Sequence, residues 1–225
     1  MKIVTLLLIS IFWLGCEPSV NTQSIEVTFD HTCLLIPKKY FLSDLPPTLV
    51  PSQGLDKNIG VLLDIPLPDL GYHIKKKIGY RYELTVLMTP LKIQNSSTPT
   101  LPPIAIQAWK SSGLYEDRII EFDKITQLYR VYSSEHRVMW DFFKSYPKNS
   151  GVPEEEWVAG CLRGPLEEEA PDLSNVTCKT EFLYQDIHIQ MTLSGMYINS
   201  IEELKDRVKK LFSQWEVQKS SESKK

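Results

Sequence analysis

Apolar and polar residues alternate with a period of two along several stretches of this chain, and in one stretch they recur near every 3.6 residues. In "SIEVTFDHTCLLI", Ile25, Val27 and Phe29 fall on one side and Glu26, Thr28 and Asp30 on the other. That is the signature of a half-buried strand, and it places His31 and Cys33 on the face of Phe29. "YRYELTVLM" repeats the pattern, with Tyr80, Tyr82, Leu84, Val86 and Met88 on one face. "DIHIQMTLSG" alternates most strictly: Ile187, Ile189, Met191 and Leu193 inward, His188, Gln190 and Thr192 outward. "IGVLLDIPL" reads as a short strand ended by its prolines. "EEWVAGCLRG" and "SNVTCKTEFLY" are two more strand-like runs, and "RIIEFDKITQLYRVYSS" lies in a segment of two or three strands joined by turns. "HRVMWDFFKSYP" fits helix and strand equally.

The 3.6 period comes last. "SIEELKDRVKKLFSQWEV" puts Ile201, Leu204, Val208, Leu211, Phe212 and Trp215 on one helical face. Ser200 and Glu203 have the spacing of a capping box. Glu203 with Arg207, and Asp206 with Lys210, stand one turn apart on the exposed face. That face mixes both signs of charge, so the helix is expected to pack on a sheet. The predicted fold class is α+β: mainly antiparallel sheet with a C-terminal amphipathic helix packed on it.

The first fifteen residues belong to a different pattern. Lys2 precedes an apolar run from Ile3 to Leu14, interrupted only by Thr5 and Ser10. A spanning helix needs ~20 apolar residues, so this dozen reads as the core of a signal peptide. "LGC" follows, and the chain turns polar at Glu17. A small residue directly before a cysteine resembles the lipobox of bacterial lipoproteins, although Trp13 stands where that family usually carries leucine. The resemblance implies that Cys16 is lipidated and becomes the mature N-terminus, anchoring the chain to a membrane by its acyl chains. Glu17, not Asp, at the second mature position implies the outer membrane. On this reading residues 1–15 are the signal peptide and 16–24 a tether. Residues 25–217 form the periplasmic domain, with the proline-rich run at 90–103 as a candidate sub-boundary, and 218–225 are a disordered tail.

An exported chain meets an oxidising compartment. With Cys16 used by lipid, Cys33, Cys161 and Cys178 remain. Cys161 and Cys178 flank one acidic loop between two strand-like runs, so they are the expected disulfide, with Cys33 a buried thiol; a bond from Cys33 to either of them stays open. Closing the shorter loop would stabilise by roughly 3 kcal/mol.

Charge narrows the partner. The chain carries 25 basic and 28 acidic side chains. Loss of the leader removes Lys2 and no acid, which deepens the acidic balance and argues against nucleic acid. The acid is clustered in two triplets, Glu154, Glu155, Glu156 and Glu167, Glu168, Glu169.

Candidate chemistry is sparse. There is no phosphate loop, dinucleotide fingerprint, nucleophile elbow or zinc spacing, so no cofactor or metal is expected. "SYPK" at Ser145–Lys148 matches S-x-x-K, but so does the tail's "SESK". "YHIKKKIGYRY" sets Lys75, Lys76 and Lys77 among tyrosines, a pattern that suits polyanions or lipid head groups as well as an exposed hairpin turn. Asn95 and Asn175 sit in glycosylation acceptor patterns, relevant only in a eukaryotic host.

The chain therefore reads as a lipoprotein that binds and does not catalyse. It loosely resembles the periplasmic immunity lipoproteins paired with type VI secretion effectors, in the lipobox, the α+β domain, an early strand carrying a cysteine and the acidic balance. That resemblance implies a toxin as protein partner, with the two glutamate triplets as the first candidates for contact. An envelope-assembly lipoprotein and a hydrolase with an unrecognised site are the alternatives.

Overall fold

The computed structural model describes residues 24–41, 60–72, 83–91, 118–135, 137–146 and 156–217. The leader, Cys16, the tether up to Gln23, the 92–103 run, Lys75–Lys77, His136, Glu154, Glu155 and the tail lie outside the described residues.

Ten strands are described. β1 (Ser24–Thr28) and β2 (Cys33–Pro37) form a small antiparallel hairpin. β3 (Val61–Pro66), β4 (Glu83–Pro90), β5 (Arg118–Asp123), β6 (Leu128–Ser133), β7 (Met139–Phe143), β8 (Trp157–Arg163), β9 (Val176–Tyr184) and β10 (Ile187–Ser194) make one sheet in the order β3-β4-β10-β9-β8-β7-β6-β5. Every neighbouring pair in it is antiparallel. The one α-helix among the described residues, α1 (Ile201–Trp215), follows a 3-10 segment at Gly195–Ser200. The architecture is the expected one: antiparallel sheet with a terminal helix packed against it.

The pleat explains the layers. Val61, Leu63 and Ile65 of β3, Leu84, Val86 and Met88 of β4, and Ile187, Ile189, Met191 and Leu193 of β10 are all buried, while their alternates are not. This inner face meets Ile201, Leu204, Val208 and Phe212 of α1 together with Val27, Leu34 and Ile36 of the hairpin in one core. Each such side chain contributes about 1.5–3 kcal/mol by leaving water.

The stretch read as one strand from Ser24 to Ile36 is a hairpin, because the chain bends at Asp30 and His31. The bend is held by an acceptor from elsewhere. Asp186, in the β9–β10 turn, accepts the His31 backbone N–H at 2.5 Å and the Thr32 hydroxyl. The hairpin's other side is pinned to the end of α1, where the Val217 N–H donates to the Cys33 carbonyl at 2.9 Å. "HRVMWDFFKSYP", open between helix and strand, supplies β7: Trp140 and Phe142 enter the core and Asp141 lies between them. A bulge between Phe142 and Phe143 breaks the alternation, which is why the period was ambiguous.

The start of α1 also departs from expectation. Ser200 makes no capping bond from its side chain. Its φ of −105° and ψ of 5° continue the preceding 3-10 turn and leave the strand-like geometry a capping serine uses. Glu203 turns instead to Arg207, whose Nε and Nη2 donate at 3.0 and 2.6 Å, and to the Tyr72 hydroxyl at 2.8 Å. Arg207 in turn reaches the Leu70 carbonyl. Gly71 makes room for that reach: its φ is 76°, and a Cβ there would sit 2.6 Å from Arg207 Nη1. Asp206 pairs with Lys209 at 3.9 Å, not with Lys210.

Candidate functional site

Cys161 and Cys178 face each other across β8 and β9 and are bonded, S–S 2.03 Å. Cys33 is a buried thiol outside that bond, with Glu26 Oε1 3.4 Å away. The disulfide sits at the root of the loop 164–175, which carries the second glutamate triplet.

That loop is built from its own polar groups. The Glu167 N–H closes a turn onto the Gly164 carbonyl at 3.1 Å, with Pro165 setting the backbone angle of the first corner. The Asn175 side chain spans the base, accepting from the Ala170 N–H at 3.0 Å and donating to the Glu168 carbonyl at 2.5 Å. Leu173 accepts the Val176 N–H at 3.1 Å and donates its own to Ala170 at 2.8 Å. Its side chain is buried in the core, which ties the loop to the sheet.

The triplet divides in two. Glu167 and Glu168 are exposed. Glu169 is half-buried and takes both terminal nitrogens of Arg130 on β6, at 2.8 and 2.9 Å. Arg130 also donates to Asp123 at 2.8 Å, and its guanidinium lies 4.5 Å from the Trp140 ring centroid and 5.5 Å from that of Phe142. Burial pulls the Arg130 guanidinium's pKa down, but the two carboxylates outweigh it and hold it above its ordinary value. Glu169 is thus a clamp inside this protein, and its carboxylate is engaged before any partner arrives. Of the first triplet only Glu156 is described; it is half-buried at the start of β8, where its carbonyl accepts the Lys144 N–H at 2.8 Å.

Exposed apolar side chains occur at the loop tip and on the outer face of the sheet. Leu166, the second corner of the 164–167 turn, is 99% exposed. Met139 and Leu162, opposite each other on β7 and β8, are 51% and 50% exposed. Farther along the same outer face, Tyr129 packs tilted against Phe122 and edge to face with Tyr146, at centroid distances of 5.2 and 5.6 Å.

A polar trio crosses the other half of the outer face. His188 Nε2 stands 3.1 Å from Glu181 Oε2, and Glu181 Oε1 accepts from the Gln190 amide at 2.8 Å. The Thr89 hydroxyl faces the remaining imidazole nitrogen at 3.5 Å. Hydroxyl, imidazole and carboxylate stand in the order of a hydrolytic triad. The hydroxyl, however, is outside the roughly 2.6–3.2 Å reach for proton transfer. All three groups are fixed on neighbouring strands, and here they join β4, β10 and β9 side by side. The sequence placed His188 outward but gave no sign of its partner, seven residues away on the next strand.

No family model matches this chain, and neither does any curated protein. Among solved structures, Smlt3025, an immunity protein of the Stenotrophomonas maltophilia type IV secretion system, superposes over 88% of this chain and 94% of that chain. The TM-score is 0.47 and the identity 11%.

Proposed function

We propose that this chain is an exported, lipid-anchored protein that works by binding a protein, in the manner of an immunity protein that neutralises a toxin reaching the periplasm. The observation that supports it is the loop 164–175. Its base is stapled by the Cys161–Cys178 bond and clamped by Arg130, while its tip offers Leu166, Glu167 and Glu168 to solvent. A rigid, acidic projection with an apolar point is suited to recognition: little chain entropy is lost on binding, and negative charge steers a basic partner. The leader and the cysteine at position 16 support export and anchoring.

The test is competition between sister cells. A host lacking the gene is mixed with its parent under conditions where cells deliver toxins to neighbours. The deletion strain should lose viability by at least tenfold and recover it when the full-length gene is restored. Equal survival with and without the gene rejects the immunity reading, and an envelope defect in pure culture would favour the assembly role instead. Mass spectrometry of the restored protein should show a diacylated or triacylated Cys16 at its N-terminus.

A further inference from the structure

We propose that Leu166 is the anchor of the partner interface: it seats in an apolar socket, rimmed by Lys or Arg, on the protein that this chain binds. The proposal rests on the binding reading above and names the contact and the partner's chemistry. A leucine that is 99% exposed gains nothing from the fold. It occupies the outer corner of a turn whose backbone is closed by the Glu167 to Gly164 bond and preset by Pro165. The base of the loop is held by Asn175, by the Glu169–Arg130 pair and by the buried Leu173. The side chain is therefore presented on a scaffold that does not need to order itself on contact, which lowers the entropic cost of binding.

Charge says what surrounds the socket. From 164 to 175 the loop has four acids and no Lys or Arg. One acid, Glu169, is answered by Arg130. Glu167 and Glu168 directly follow Leu166 and are exposed, so a partner surface that closes over the loop tip meets two carboxylates. A neutral or acidic rim would leave them desolvated without a counter-charge, and a basic rim pairs them.

The experiment has two arms. In the first, full-length protein carrying the photo-crosslinker p-benzoylphenylalanine at position 166 is irradiated in host cells, with the same label at 65%-exposed Ile125 as control. The expected result is a protein adduct at 166 and not at 125. It should map to an apolar segment of the partner with Lys or Arg beside it, and fall at least tenfold in an E167Q/E168Q background. No adduct at 166, an adduct of equal yield at 125, or one indifferent to the glutamates overturns the proposal. In the second arm the deletion strain is complemented with Leu166→Ala, Leu166→Asp or the control Ile125→Asp, at matched envelope levels. Loss of one buried leucine corresponds to roughly 10- to 100-fold in affinity. Leu166→Asp should therefore abolish protection, Leu166→Ala reduce it, and Ile125→Asp preserve it. Full protection by Leu166→Asp overturns the anchor while leaving the immunity reading intact. A deletion strain that is never killed removes the immunity reading, and the crosslinking arm still decides the anchor.

Discussion

Removing the Asp186 carboxylate should unlatch the N-terminal hairpin from the sheet. Asp186 is buried and accepts the His31 N–H at 2.5 Å, the Thr32 hydroxyl and the Thr32 N–H. Thr32 is itself 1% exposed; its hydroxyl would keep the Gln185 side-chain oxygen at 2.6 Å, so the donors left without a partner are the two backbone N–H groups. Hydrogen bonds to a charged acceptor contribute about 1.5–3 kcal/mol each, and an orphaned buried donor costs about 1–3 kcal/mol. The carboxylate's own desolvation offsets part of this. Asp186→Ala should lose about 2–4 kcal/mol and Asp186→Asn, which keeps one acceptor oxygen, about 1–2 kcal/mol. Burial alone would push the Asp186 carboxyl's pKa up, but these donors outweigh it and hold it below its ordinary value. The folded chain thus prefers the carboxylate more than the unfolded chain does. That preference contributes fully above the unfolded value of roughly 3.9 and is lost as pH falls through the lower folded value. Urea unfolding of the mature domain, followed by circular dichroism, should show a constant gap between wild type and Asp186→Asn from pH 8 to 5. The gap should narrow below about pH 4. A gap under ~0.5 kcal/mol at pH 7, or one unchanged in acid, would refute the latch, because a single weak surface bond is worth no more than that.

Two further substitutions probe the loop. Replacing Cys161 and Cys178 together by Ala should cost about 3 kcal/mol, or roughly 6–12 °C in Tm for a domain of this size. A scanning-calorimetry shift below ~2 °C would mean that the bond contributes little. Arg130→Met keeps the packing on Trp140 but leaves Asp123 and Glu169 facing each other without a cation, and should cost about 2–4 kcal/mol. A glutamate-specific protease should then cut after Glu167 or Glu168 several-fold faster, and an unchanged cutting rate would show that the loop holds its shape without the clamp.

Strands β3, β4 and β10 and the helix were legible because one face of each is buried throughout, so burial and period coincide. The hairpin was not. Ile25 to Cys33 alternates well enough to pass for one strand, and what bends it is Asp186, more than 150 residues later. The Glu169 clamp was hidden for the same reason: nothing local distinguishes Glu169 from Glu167 and Glu168, and its partner Arg130 comes from β6. Asn175 looked like a modification pattern, whereas its amide bridges the loop base. The capping box had correct spacing, yet the 3-10 turn before Ser200 withheld the backbone geometry that spacing presumes. In each case a non-local acceptor or a neighbouring turn overrode a local pattern.

The strand order has a consequence for biogenesis. β4 pairs with β10, so the first part of the sheet waits for a strand made some hundred residues later. The hairpin pairs within itself but docks through Asp186 and Val217, both late in the chain. An emerging chain would hold β4 without β10 and the hairpin undocked, and could gain its native shape only after nearly the whole polypeptide had been made. Such a topology makes maturation a single late event.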